Sequence, residues 1–542
     1  MKLSKRLLLI VLLILAFLVS YAIYYVFFMP SAGGSALEIL NTNFLIESHG
    51  WRITRTIEVV VRNPTTENLT LLNIRVNGEV WNLWTPRGLF LTPGGKGTVR
   101  IYYPWNSGIN LVAIETEKGV TEVNINPPQF SSVNVIFKNP SNNLWSGLAS
   151  FDLTFGPNEL SEPKIAVYDG DIPILSQVWG VVNYTEGSVK CATVSFHVEI
   201  PAKGEKMYTL KFGVQGPVED NPLIIRRLQN YTIVENEWFK IRFNENYLGE
   251  IDLVSDPGEE INYARIYENR QSESQGWRHG FLQSAFHLYP WDYILNAHTA
   301  ARPTVSFHLD ANGPLLAVYA RSFRLQQNWG QVYEFYAIPH DEPAILYKVV
   351  LDALNTFTQD AGANYAPWNA FGAGNTVLPL LTFRAGFADK FFVTDTGDLY
   401  IPDWPGNDLW IRHAVAACTD PYHGVGIVLL GNDPLIPLGY WHISLRRFTG
   451  DQDPNTAPEL GLWIDLIAIA GVPEGKLCWD GQNPNNEPYA LEREVTPRFA
   501  ITFYPGVYSW SHRVEVIFGR DITEVLQEIR RKYVDIQITL PS

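Results

Sequence analysis

Between Gly276 and Pro303 the chain gathers Trp277, Arg278, His279, His287, Tyr289, Trp291, Asp292, Tyr293, His298 and Arg302, with three of its 11 histidines among them. That mixture suits a sugar. Flat aromatic faces stack on the apolar side of a pyranose ring, while carboxylate, amide or guanidinium groups meet its hydroxyls. Trp277, Tyr289 and Trp291 are the expected platforms, and Arg278 and Arg302 the expected hydrogen-bonding partners. His287, His298 and Asp292 are the residues expected to move protons, since an imidazole titrates near neutral pH beside a carboxylate that can complement it. The same residues also fit a packed loop whose rings are core and whose Arg and Asp pair with each other.

A second candidate is Asn364-Tyr365-Ala366-Pro367-Trp368-Asn369, followed by glycine-rich Phe371–Asn375 and, further on, by Asp403-Trp404-Pro405-Gly406-Asn407-Asp408. Trp368, Asp403 and Trp404 would bind substrate; the same residue types also build ordinary turns. No metal is expected. His413, Cys418, Asp420 and His423 match no zinc spacing, and the Asp403 and Asp408 loop lacks the acidic rhythm of a calcium hand, so calcium has no support beyond the carboxylates themselves. There is no Gly-x-Ser-x-Gly elbow and no phosphate loop, and no pair of carboxylates stands out by its spacing.

The elements that must position these residues read as strands. Residues Trp51 to Arg62 alternate, and Ile74 and Val76 lead through Asn77-Gly78 to Val80, the pattern of a hairpin with a type I′ turn. A small β-sandwich is expected over 36–128. Asn126-Pro127-Pro128 is a stiff connector into a second sandwich over 130–217, whose clearest strands flank the turn Pro201-Ala202-Lys203-Gly204. From 230 to 540 about ten further alternating segments predict one large supersandwich. Asp521 to Tyr533 alone has a helical period, with Ile522, Val525, Leu526 and Ile529 on one face and an Asp521/Glu524 capping pair. The fold class is therefore all-β, with one short C-terminal helix and, at the other end, a membrane helix.

That membrane helix is expected at residues 1–30 as an uncleaved anchor, with a secretory signal cut near Ala32 to Ala36 as the alternative. Leu7 to Phe28 is apolar apart from Ser20 and three tyrosines, long enough at about 1.5 Å per residue to cross a ~30 Å hydrocarbon core. Lys2, Lys5 and Arg6 precede it and the next basic residue is Arg52, which puts the N-terminus in the cytoplasm and the body outside, on a single-pass anchor. A formal net charge of −15, with no basic cluster in the body, argues against nucleic acid as a partner. Three cysteines, Cys191, Cys418 and Cys478, leave room for one bridge and no disulfide framework. Glycosylation sequons at Asn68, Asn183 and Asn230 fit an exported surface.

The order of these segments resembles a known family. A sandwich ending in Ile200-Pro201-Ala202-Lys203-Gly204, then Val234-Glu235-Asn236-Glu237-Trp238-Phe239-Lys240-Ile241-Arg242-Phe243 and later Gly313-Pro314-Leu315-Leu316-Ala317-Val318, resembles the C-terminal β-domains of glycoside hydrolase family 38 α-mannosidases, which end in a galactose-mutarotase-like supersandwich. The similarity spans roughly Val133 to Tyr533. In those enzymes an α/β barrel carries the zinc and the nucleophilic aspartate, and nothing here resembles it, so their catalytic residues have no positions in this chain. The resemblance implies a polysaccharide or glycan as partner. Three functions stay open: a membrane-anchored, extracytoplasmic carbohydrate-binding protein, a glycoside hydrolase or polysaccharide lyase with its site in the supersandwich cleft, and a cell-envelope spacer without a site.

Overall fold

The computed structural model describes residues 36–108, 110–219, 223–247, 249–257, 283–285, 305–325, 328–360, 375–378, 390–393, 399–400, 408–411, 415–420, 423–431, 433–435, 440–448, 459–467 and 500–541. Residues 1–35, on which the anchor expectation rests, lie outside them. Among the described residues no helix is long and apolar enough to cross a membrane. They are overwhelmingly strand, as the alternating segments require, with one α-helix, Ile522–Ile529.

The chain divides into two compact units, one holding residues up to Leu45 with Thr56–Gln129, the other Ile46–Arg55 with Phe130–Ser542. In the first, Ile57↔Ile101 and Val59↔Val99 pair antiparallel, while the strands Leu69–Val76, Asn110–Thr116 and Gly119–Ile125 form a second layer. Ile57, Val59, Leu69, Ile74, Val99 and Ile114 are all 0 % exposed, so the alternation read from sequence is the core face. Asn77 and Gly78 adopt φ 54° and 85°, the left-handed pair a type I′ hairpin needs.

The second unit starts with an unexpected piece. Trp51–Arg55, which alternation assigns to the first sandwich, belongs here: Arg52 and Ile53 run parallel to Asp152 and Leu153. Trp51 is 2 % exposed and packs among Phe137, Trp145, Phe151 and Tyr533, with ring centroids 5.3–6.5 Å away. Around that aromatic centre, Trp145–Thr154, Val189–Ile200 and Ser176–Asn183 form one layer. Ile172–Ile174, Ile165–Asp169, Glu205–Phe212, Ser132–Lys138 and the C-terminal strand Gln537–Thr539 form another. The Pro201–Gly204 turn, with Lys203 at φ 52°, carries the chain from the first layer to the second, so its flanking strands pair with different partners.

The rest of the unit is built on a nine-stranded antiparallel sheet. Its centre runs Val305–Asn312, Leu316–Arg324, Gly330–Pro339, Ala344–Ala353, Gly506–Phe518 and His423–Gly431. Ala344–Ala353 and Gly506–Phe518 are buried almost throughout, and such strands read as continuous apolar runs because both faces are covered. A four-stranded sheet, Ile224–Leu228 to Glu250–Ser255, accompanies it. A five-stranded sheet has the order Gln283–Ala285, Asn375–Leu378, Glu459–Ile467, Tyr440–Phe448, Asp408–Ile411. The helix Ile522–Ile529 buries Ile522, Val525, Leu526 and Ile529, and Asp521 caps it by accepting from Thr523 N and Glu524 N at 2.9 and 3.1 Å. Its last turn widens to π-type bonding over Arg530–Val534.

Candidate functional site

Three registers decide what the central strands of the nine-stranded sheet present. Arg321 lies opposite Glu334, Tyr336 opposite Tyr347, and Tyr347 opposite His512, so all five point to one face. Arg321 and Glu334, both 0 % exposed, form an ion pair. Tyr347 donates to Glu334 Oε1 at 3.3 Å and Tyr336 to Oε2 at 3.5 Å. The Tyr336 and Tyr347 rings lie 4.9 Å apart, and His512 stacks on Tyr347 at 6.1 Å. Phe243, from Lys240–Asn244, covers Tyr319 at 4.0 Å and 11° and reaches Tyr336 at 5.5 Å.

The electrostatics of this face favour neutral groups. Burial pushes the Glu334 carboxyl above its ordinary range and outweighs Arg321 and the two phenols, which pull it down. Burial also pushes His512 down to about 3, against a hydrogen bond to the Tyr347 backbone, so its imidazole is uncharged at neutral pH. A buried carboxyl pushed upward, a neutral imidazole, phenols and a guanidinium are proton-transfer and hydrogen-bonding groups. They equally make a paired ionic core.

On the opposite face Lys348 and Ser509 meet the Trp145–Thr154 and Val189–Ile200 strands. The Lys348 ammonium lies 3.0 Å from Asp152 Oδ1 and donates to Thr193 Oγ1 at 2.7 Å and to the Gly180 carbonyl at 3.3 Å. Thr193 and Ser509 donate to the same Asp152 carboxylate, the latter at 2.9 Å. Arg52 bonds Ser509 and lies 3.0 Å from Asp433. Gly180 sits in a bulge at φ +60°, and a Cβ there would meet Lys348 Cδ at 3.3 Å, so glycine both bends the strand and makes room for the lysine. Burial raises both carboxyls. At Asp152 the cations and Thr193 win and its carboxyl falls below the usual range, whereas at Asp433 burial wins over Arg52. A third network joins Arg513 to Glu342 and Glu515, with Glu342 Oε1 accepting from Leu148 N at 2.9 Å.

Every catalytic or binding residue nominated by sequence, His287, His298, Asp292, Trp277, Arg278, Tyr289, Trp291, Arg302, Trp368, Asp403 and Trp404, lies outside the described residues. Described strands stand beside their segments, Val305–Asn312 and Leu399–Tyr400 in the nine-stranded sheet and three more in the five-stranded one. Gln283–Ala285 lies within the first segment, which is therefore not a single uninterrupted loop, and pairs with Asn375–Leu378, which begins where the second segment ends. Asp408–Ile411, after Asp403 and Trp404, is the far edge of that sheet. Of the sequons, Asn68 and Asn183 are exposed and Asn230 is half-buried. Among the described residues no three His, Cys, Asp or Glu side chains are grouped to hold a metal ion.

Sequence reasoning missed Arg321, Glu334, Lys348 and His512. The signal was there: Lys348 stands inside the apolar run Ile345–Leu351, and a charge in a strand covered on both faces must have a buried partner.

No protein-family model matches the chain, and no curated protein matches it. As the order of its segments implied, it is similar to solved structures of glycosyl hydrolase family 38. A family 38 protein from Enterococcus faecalis matches at 10 % identity and TM-score 0.37 over 76 % of this chain. An α-mannosidase from Enterococcus faecalis V583 matches at 10 % and 0.36 over 76 %. The galactosidase domain of an α-galactosidase–sucrose kinase matches at 8 % and 0.28 over 54 %. The chain spans 47 % and 46 % of the two Enterococcus structures, and 41 % of the galactosidase domain.

Proposed function

We propose that the chain is a single-pass membrane protein with a cytoplasmic N-terminus, whose extracytoplasmic β-body engages a polysaccharide or glycan. The observation that carries this reading is the shared five-stranded sheet. Its strands Gln283–Ala285, Asn375–Leu378 and Asp408–Ile411 each stand within or beside a segment chosen separately for its aromatic, amide and carboxylate content. Gln283–Ala285 and Asp408–Ile411 are its two edges, four strand spacings apart, or ~19 Å at ~4.8 Å per spacing. A sheet of that width suits a chain of sugars better than a single ring. The export half of the reading rests on the apolar run Leu7–Phe28 and its flanking charges.

The test is retention of the full chain on immobilised polysaccharides, wild type against Trp291→Ala/Asp292→Ala. Loss of retention with an unchanged circular-dichroism spectrum is expected; unchanged retention overturns the site. A hydrolase or lyase reading draws on Glu334 and His512, which the strand registers place on one face of the nine-stranded sheet. It requires new reducing ends or unsaturated products from the retained polysaccharide.

A further inference from the structure

The three sequons are equivalent as sequence and very different as structure. Asn183 ends the Ser176–Asn183 strand, where two register shifts against Val189–Ile200 interrupt the ladder. Asn183 and Thr185 are both exposed. The loop they stand on is firmly closed: Tyr184 N donates to Ser188 O at 2.8 Å, Gly187 N to Tyr184 O at 2.9 Å, and the Tyr184 hydroxyl to Phe155 O at 2.9 Å. Its base is buried, with Val182 and Val189 at 2 % and 0 % exposed.

Asn230 offers the opposite. It is half-buried in the turn between Ile224–Leu228 and Tyr231–Glu235, its carbonyl accepting from Glu245 N at 2.9 Å. The hydroxyl residue two positions on, Thr232, is 1 % exposed and locked mid-sheet between Arg227 and Phe243. Asn68 is exposed, just ahead of the Leu69–Val76 strand.

We infer that Asn183 is an acceptor for an N-linked glycan and that Asn230 is not. In the transfer, the Asn183 side-chain nitrogen attacks the anomeric carbon of a lipid pyrophosphate-linked oligosaccharide. The N–C1 bond forms as the C1–O bond to the pyrophosphate breaks, the amide gives up one proton, and the lipid pyrophosphate leaves. The attached sugar projects into solvent from a turn whose backbone bonds do not involve the Asn183 side chain, so the fold accepts it unchanged. At Asn230 the sugar would start from a half-buried position, and the Thr232 hydroxyl that the transferase must reach is lost to the sheet once the hairpin forms.

The inference rests on the export proposed above, and the experiment separates the two. The full chain is made in a eukaryotic secretory host, and each site is read by peptide N-glycosidase digestion in heavy-oxygen water with peptide mass spectrometry. Asn183 is expected to be occupied in most molecules. Asn183→Gln and Thr185→Ala should each remove one glycan's mass from the intact protein, and Asn230→Gln should remove none. An unmodified Asn183 in a chain that reaches the lumen overturns the inference, as does Asn230 occupied as fully as Asn183. No glycan on a chain that added protease digests outside intact microsomes overturns export and the inference with it.

Discussion

Replacing Lys348 by methionine isolates what the buried network between the two sheets contributes. The substitution keeps most of the side chain's length and removes only the ammonium, leaving Asp152, 4 % exposed, without the cation 3.0 Å away. At an effective dielectric of 20 that attraction is about 5–6 kcal/mol before desolvation is counted, and breaking a buried pair costs about 3–5 kcal/mol. Arg52 and the Thr193 and Ser509 hydroxyls still face the carboxylate, which favours the lower part of that range. Urea unfolding followed by tryptophan emission reads the change, with Trp179, whose Nε1 donates to Ser195 at 2.8 Å, as a reporter in the same layer. With a denaturant slope of ~3 kcal/mol per molar, as a unit of this size implies, the midpoint should fall by about 1 M. Asp152→Asn should cost a similar amount by stranding Lys348, and the double variant should recover about 2 kcal/mol relative to the sum. A Lys348→Met midpoint within ~0.2 M of wild type, or strictly additive costs, would refute the argument that the pair holds the two layers together.

Other expectations follow from the same packing. The Asp152 carboxyl lies below its unfolded value, so the stability it contributes is full above that value and is lost as pH falls through the lower, folded one; Lys348→Met should remove that acid dependence from unfolding curves. His512, held at about 3, takes up its proton only in the unfolded chain. Stability is therefore lost as pH drops below ~6.5, by about 2 kcal/mol at pH 5, and His512→Phe should abolish that loss when midpoints at pH 7 and pH 5 are compared. Trp51→Ala should cost about 3–5 kcal/mol in a thermal melt of the second unit, because four aromatic rings lose their central partner; a shift below 1 °C would count against its central place.

What could be read beforehand was local. Asn77-Gly78 announced its turn because only left-handed residues suit it, and Asp521 announced its cap because a carboxylate accepts from exposed amides. Val189–Ile200 was legible as a strand, but not the layer it joins, since a turn such as Pro201–Gly204 can return a chain to its own sheet or send it to the facing one. Lys348 was conspicuous, yet its partners Asp152 and Thr193 lie on strands far away in sequence, and spacing carries no information about such pairs. The candidate binding segments were legible by composition; the strand Gln283–Ala285 within the first of them was not, because it is three residues long and carries no alternation to reveal it.

The ownership of Trp51–Arg55 by the second unit bears on the order in which the protein can be made. Trp51 emerges from the ribosome long before Tyr533, its neighbour at 5.9 Å. The strand Gln537–Thr539 that pairs with Ile136–Lys138 comes later still. The second unit therefore has no complete core until Tyr533 and the strand after it have been made, and its early apolar residues must wait in contact with water or a chaperone. A fragment beginning at Phe130 would keep most of the strands and lack their aromatic centre, whereas supplying residues 46–55 as a separate peptide should restore it. Segments far apart in sequence close the same unit, which is complete only once the later one has been synthesised.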